Sequence, residues 1–186
     1  MPTETIIVWF RNDLRLHDHE ALYTASKRTS RVIPVFVIEP SLFEETSLGF
    51  KKTGTFRAKF LLESIANLRE NLQKVGSNLI VRLGKSADIL PEIAKEVGAS
   101  AVYASKEIAQ EEAQIEKSME QALFSAGIGL EFFWESTLYH IEDLPFPLGN
   151  LPDIFTQFRK KVESMTKVRA TFPEPSNLLP LPKIDL

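Results

Sequence analysis

The sequence predicts a doubly wound α/β domain, in which a five-stranded parallel sheet of order 3-2-1-4-5 carries helices on both faces. First, five short runs of β-branched, aliphatic and aromatic residues alternate with stretches that have an apolar residue every three or four positions. Second, the runs are almost continuously apolar, as strands buried on both faces of a parallel sheet need to be. Right-handed crossovers restrict the possible topologies to a few, and this order is the commonest for five strands.

The predicted strands are the apolar runs, each bounded by polar or turn-forming residues. They cover residues 5–10, 31–38, 78–83, 100–104 and 129–134. The first run, Ile-Ile-Val-Trp-Phe at its core, ends abruptly in charged residues, so its carboxyl end faces a polar turn. Open α/β sheets bind their ligands at the carboxyl ends of their strands.

Three helices between the strands are predicted from apolar stripes at helical spacing. The stripes are Phe56, Phe60, Leu61, Leu68, Leu72 and Val75; then Leu90, Ile93, Ala94 and Val97; then Ile115, Met119, Ala122, Leu123 and Ala126. We expect Ser86 to be an N-cap, and Gly76, Gly98 and Gly127 to lie at helix C-termini.

After residue 134 the alternation ends. Residues 135–150, broken by two prolines and a glycine, read as irregular. Pro152 then opens a predicted last helix, and its apolar face comprises Phe155, Phe158, Val162 and Met165. We expect residues 1–170 to form the domain and the proline-rich residues 171–186 to be a connector to a second domain; a loose terminus is the alternative.

The composition excludes several classes of protein. A net charge of −3 argues against a dedicated nucleic-acid-binding domain, because phosphate binding needs concentrated positive charge. The absence of cysteine excludes disulfides, thiolate nucleophiles and cysteine-ligated metals, and the three histidines lack zinc-binding spacing. No signal segment or membrane span is recognisable, so we expect a cytosolic protein, with organellar import open if a transit peptide was removed.

The densest polar cluster, Arg11, Asp13, Arg15, His17 and Asp18, directly follows the first predicted strand. One interpretation is structural: Arg11 pairs with Asp13 at the start of the first helix, whose macrodipole favours Asp18. The other is an anion or cofactor pocket at the strand ends. The turn contains no glycine, which disfavours ordinary dinucleotide binding.

A second polar turn, at residues 105–108, follows the fourth predicted strand. Glu107 is expected at a helix start, where its carboxylate could accept hydrogen bonds from the amino-pyrimidine edge of a heterocycle. The alternative is a solvated first-turn acid favoured by the helix dipole. No catalytic triad, carboxylate pair or P-loop accompanies it, so hydrolysis and phosphoryl transfer have no recognisable machinery.

Five stretches resemble the photolyase/cryptochrome family. Residues 8–18, with the pattern V-W-F-R-x-D-L-R-L-x-D, are similar to the family's opening, and residues 54–64 and 77–85 to its second helix and third strand. Residues 134–146 and 151–160 resemble the DASH cryptochromes, a branch associated with repair of cyclobutane pyrimidine dimers in single-stranded DNA. Glu135 departs from the pattern, which has glycine there. The resemblance spans essentially the whole chain.

The resemblance implies that this is the antenna-binding half of a longer protein. In the family, a helical domain binds FAD, carries the electron-transfer tryptophans and receives the lesion. Trp9 and Trp134 both fall in predicted strands here, which indicates a core role. We therefore expect a helical FAD-binding partner in cis or as a separate chain, no direct DNA binding and no catalysis by this chain alone.

The resemblance also implies a cofactor, 5,10-methenyltetrahydrofolate, as the antenna. Glu107 matches the family's pterin-contacting glutamate and Lys106 precedes it. Arg11 and Glu39 are weaker candidates for a flavin or deazaflavin near the ends of the first two strands. The rival hypotheses are a stand-alone interaction protein that self-associates or binds a partner through an exposed face, and a general nucleotide-binding α/β domain.

Overall fold

A computed structural model describes residues 4–29 and 31–184 and confirms the predicted sheet. All neighbouring strands are parallel, in the order β3-β2-β1-β4-β5. The strands are β1 Thr5–Phe10, β2 Arg31–Ile38, β3 Ile80–Leu83, β4 Ala101–Ser105 and β5 Gly129–Phe133. The last three differ from the predicted bounds by one or two residues.

The described residues form five α-helices: α1 Glu20–Arg28, α2 Thr55–Lys74, α3 Ser86–Val97, α4 Gln110–Ser125 and α5 Phe155–Met165. Alternate residues of β1 enter opposite layers, because successive side chains of a strand point to opposite faces. Ile6, Val8 and Phe10 pack with α1 and α2, whereas Ile7 and Trp9 pack with α3 and α4. The central strand is therefore buried on both sides, as its continuous apolar run predicted.

Several local predictions change at the helix ends. Ser86 is the first residue of α3 and Lys85 is its N-cap. Pro152 does not open α5, which begins at Phe155 with Ile154 as its N-cap. Gly76, Gly98 and Gly127 each have positive φ at or just after a helix end, as predicted.

The predicted apolar face of α5 is only partly buried. Within α5 only Val162 is fully buried, whereas Phe155 and Met165 are 72% and 69% exposed. Phe158 packs against the Phe146 ring, with 5.4 Å between the centroids. None of the described helices is long and apolar enough to cross a membrane.

The proline-rich segment lies against the domain across the described part of its length. Phe172 exchanges two hydrogen bonds with Asp18, and the Leu178 amide donates to the carbonyl of Val75 at 2.8 Å. Leu178 is buried in the layer that α1 and α2 form. The connector role stays a prediction, but these residues add a side chain to the core.

Candidate functional site

A cleft of about 230 Å³ lies at the carboxyl ends of the central strands. The sheet order reverses between β1 and β4, and at such a switch point the loops diverge and leave a crevice. Aromatic side chains such as Trp9, Phe36 and Phe60 form part of its walls. Arg11, Glu39 and Glu107 also line it, so three of the four predicted site residues share one cleft.

Arg11 lies between two carboxylates. Its Nη2 is 2.7 Å from Glu107 Oε2 and its Nη1 is 2.6 Å from Glu116 Oε1. The guanidinium also lies 4.6 Å from the centre of the Trp9 ring, within cation–π range. The predicted pairing of the Arg11 and Asp13 side chains is wrong: only the Arg11 backbone amide donates to Asp13 Oδ1, at 2.7 Å.

Glu107 presents a largely buried carboxylate to the cleft, with 15% of its side chain exposed. Asn12 Nδ2 donates to its Oε1 at 2.5 Å, and Arg11 holds its Oε2. Burial raises the pKa of Glu107 above its ordinary value, although Arg11 and the Asn12 hydrogen bond oppose that rise. The residue is not a first-turn acid, because α4 begins three residues later, at Gln110.

Glu116 lies behind this pair and is 1% exposed. It accepts hydrogen bonds from Arg11, from the Lys106 ammonium and from the Glu107 backbone amide. Burial opposes its ionisation, but those three donors outweigh burial and hold the pKa of Glu116 below its ordinary value. Lys106 is not among the described residues that line the cleft; its Nζ lies over the Phe132 ring, 4.8 Å from the centroid.

Glu39 has a structural contact that the sequence did not indicate. Its Oε1 accepts hydrogen bonds from the backbone amide of Ser86, at 2.7 Å, and from the Ser86 hydroxyl. It thus satisfies an amide at the start of α3 that has no partner within the helix.

A second polar cluster lies beside the first and is closed to solvent. Asp13 Oδ2 is 2.9 Å from His19 Nε2 and accepts a hydrogen bond from Ser105, whose hydroxyl is also 3.0 Å from Glu135 Oε2. Glu135 Oε1 accepts from the Ala21 amide at 2.8 Å, at the start of α1. Burial raises the pKa of Asp13, but His19, Ser105 and the Arg11 amide outweigh it and lower the value to about 2.

Asp13, His19 and Glu135 also place one potential metal ligand each within 4.8 Å of one another. His19 is the N-cap of α1, and its Nδ1 accepts from the Leu22 amide at 3.2 Å. The ring proton therefore belongs on Nε2, which lies 2.9 Å from Asp13 Oδ2, so neither nitrogen keeps a free lone pair for a metal. Asp18, by contrast, precedes the N-cap in a left-handed conformation, with φ of 53°, and accepts from the Phe172 amide.

Sequence reasoning missed Glu116 and the role of Asn12. A signal for Glu116 was present, because it lies three residues before Met119 and seven before Leu123, on the buried stripe of α4. A charged residue within an apolar stripe needs a buried partner. Trp134 also differs from its prediction: it follows β5, is only partly buried and donates to the Thr137 hydroxyl at 2.7 Å.

Sheet order, cleft position and paired polar clusters define a doubly wound α/β domain with a candidate ligand site at its switch point. The DNA photolyase family model matches residues 6–176, and the chain belongs to that family. Its relatives include a cryptochrome DASH of Synechocystis sp., 46% identical over 98% of this chain and 37% of the relative. Another, from Arabidopsis thaliana and described as chloroplastic/mitochondrial, is 45% identical over 96% of this chain and 32% of the relative.

A crystal structure of a Synechocystis sp. cryptochrome has the same fold. It superposes with a TM-score of 0.94 at 45% identity, covering 98% of this chain and 38% of the solved one. The chain thus spans about a third of the length of these relatives and corresponds to their α/β domain.

Proposed function

We propose that this chain is the antenna-chromophore-binding α/β domain of a DASH cryptochrome or deoxyribodipyrimidine photolyase. The observation that carries the proposal is Glu107, a largely buried carboxylate that faces the switch-point cleft in a chain of this family. The proposed ligand is 5,10-methenyltetrahydrofolate, whose bound role is to absorb light and pass the excitation energy on.

The donor set fits such a ligand. Glu107 already accepts one hydrogen bond or ion-pair contact at each oxygen, and each oxygen can accept another from the N–H groups of an amino-pyrimidine ring. The cleft, at about 230 Å³, is smaller than typical ligand pockets of about 300–1,000 Å³. It would enclose only part of a folate, so affinity in the isolated chain is expected to be weak.

Binding of 5,10-methenyltetrahydrofolate to the purified chain tests the proposal, with absorbance and equilibrium dialysis as readouts. We expect Glu107→Gln to weaken binding about tenfold, because a charge-assisted hydrogen bond contributes ~1.5–3 kcal/mol. Glu120→Gln, on the exposed side of α4, is the matched control. Equal affinity of wild type and Glu107→Gln, or no binding at ligand concentrations up to solubility, would contradict it.

Repair by this chain alone is not expected. The family resemblance implies that the FAD site and the lesion site lie in a helical domain, which would act in cis or as a separate chain. Purified protein given FAD, light and thymine-dimer DNA should therefore show no dimer reversal. Direct DNA binding is likewise not expected at a net charge of −3. We propose a cytosolic site of action, with an organelle as the alternative.

A second candidate function is that of an interaction protein that uses the face the helical domain would otherwise cover. Phe56 and Phe60 on α2 are 91% and 71% exposed, and Ile154 and Phe155 at the start of α5 are 57% and 72% exposed. Large exposed apolar side chains that group into a patch mark contact surfaces. Sedimentation equilibrium tests this: concentration-dependent dimerisation abolished by Phe155→Ser supports it, and a monomer at all concentrations counts against self-association.

A further inference from the structure

We propose that Glu116 is the positioning residue of the site: it holds Glu107 and Arg11 in the arrangement that a ligand meets. This inference rests on the proposed ligand contact of Glu107 and extends it to a residue outside the cleft lining. Glu116 acts through other residues, since at 1% exposure it has no access to a ligand.

The first argument is the set of donors that converge on Glu116. Its Oε1 is 2.9 Å from the Glu107 amide and 2.6 Å from Arg11 Nη1, and its Oε2 contacts the Lys106 ammonium. These three donors are the backbone of Glu107, its ion-pair partner and the residue before it. A single carboxylate on α4 thus holds the two residues after β4, Lys106 and Glu107, together with Arg11 after β1.

The second argument concerns the charge of Arg11. Its guanidinium is shared between Glu107 and Glu116, with one nitrogen directed to each carboxylate. A buried guanidinium without a counter-ion is strongly unfavourable. Because Glu116 makes its own contact with Arg11, the guanidinium stays paired when Glu107 also accepts hydrogen bonds from a ligand. The site can therefore rearrange at Glu107 without leaving a buried charge unpaired.

The third argument is that α4 does not need a charge at this position for packing. Glu116 shares the buried stripe of α4 with Met119 and Leu123, where an apolar side chain would fill the same space. Replacing a whole buried ion pair by apolar residues is often neutral or stabilising, whereas removing one partner alone is strongly destabilising. The presence of a carboxylate at residue 116 is thus explained by the donors that it holds in place and not by the packing of α4.

Glu116→Gln and Glu116→Asp in this chain test the proposal, with Glu120→Gln as the control on the same helix. Hydrogen exchange at the Glu107 amide is the readout that needs no ligand. We expect Glu116→Gln to speed exchange there about tenfold and to weaken binding of 5,10-methenyltetrahydrofolate about fivefold, since a neutral amide is the weaker acceptor. Glu116→Asp keeps the charge and should restore both towards wild type.

The proposal is overturned if Glu116→Gln lowers only the melting temperature, with exchange at Glu107 and ligand affinity as in wild type. It is also overturned if Glu116→Gln and Glu116→Asp behave alike. If wild type does not bind the pterin, the proposed function fails, and exchange at the Glu107 amide decides the positioning role alone. Should Glu116→Gln unfold, the comparison of Glu116→Asp with wild type decides it.

Discussion

The two polar clusters at the carboxyl edge of the sheet begin in the same turn but differ in what they face. The Arg11 side chain pairs with Glu107 and Glu116 beside the cleft. Asp13, two residues later, contacts His19 and Ser105, and the Ser105 hydroxyl also contacts Glu135 at the start of α1. In the first cluster the side chain of Glu107 remains 15% exposed, and in the second no side chain of the Asp13, His19 and Glu135 group exceeds 9%. The charged turn after β1 therefore contributes Arg11 to a cluster that faces the cleft and Asp13 to a buried cluster that stabilises the fold.

The largest effect on stability is expected in the closed cluster. Asp13→Asn keeps the shape but removes a charged acceptor of the Ser105 hydroxyl and the Arg11 amide, and each hydrogen bond to a charged group contributes about 1.5–3 kcal/mol, so we expect a loss of about 3 kcal/mol. Urea unfolding at pH 7 measures the change in the free energy of unfolding. A loss below about 1 kcal/mol would remove the distinction drawn between the two clusters.

The same carboxylate predicts a loss of stability in acid. The pKa of Asp13 is about 2 in the folded chain and about 3.9 in an unfolded one, so its contribution is fully present above about pH 5. It is lost as the pH falls towards 2 and amounts to about 2–3 kcal/mol. Unfolding of wild type and Asp13→Asn between pH 2 and 5 measures it, and parallel curves would contradict the assignment.

A smaller effect is expected at Glu135, the residue that departs from the family pattern. Its carboxylate accepts from the Ala21 amide at the start of α1, as a helix cap does. Glu135→Gln keeps the length and removes the charge, so we expect about 1 kcal/mol of destabilisation. Thermal unfolding with Glu120→Gln as control tests this. An increase in stability would contradict the capping role and would mean that burying the Glu135 charge destabilises the fold.

The smallest effect is expected at the outer edge of the cleft. Lys52 Nζ lies 3.0 Å from Glu111 Oε1, and 69% of the Glu111 side chain is exposed. Exposed ion pairs of this kind contribute about 0–1 kcal/mol. Lys52→Ala should therefore leave the unfolding midpoint in urea nearly unchanged, and a shift comparable to that of Asp13→Asn would contradict the ranking.

The fold could be predicted because each strand carries its own signal. The run Ile-Ile-Val-Trp-Phe is short, continuously apolar and rich in β-branched and aromatic residues, as a strand buried on both faces is, and the order of strands and helices restricts the topology. The cleft could be located for the same reason, since Arg11 and Glu107 each follow a strand that ends at the switch point.

The partners of these residues could not be predicted, because they depend on side-chain directions across long sequence separations. Arg11 had an acid two residues away, yet its guanidinium pairs with Glu116, which is 105 residues distant. Lys106 and Glu107 are adjacent in sequence, but only Glu107 lines the cleft. Sequence spacing identifies which residues reach an edge, and packing decides which of them meet.

The segment from Phe172 to Leu178 has a consequence for the order of folding. It runs from Asp18, before α1, to Val75, after α2, and at Gly76 a Cβ atom would lie 2.8 Å from the Leu178 carbonyl oxygen. The Phe172–Asp18 contact joins residues 154 positions apart, and contacts of such separation form slowly. The α1–α2 layer is therefore complete only when Leu178, from the far end of the described chain, has packed into it.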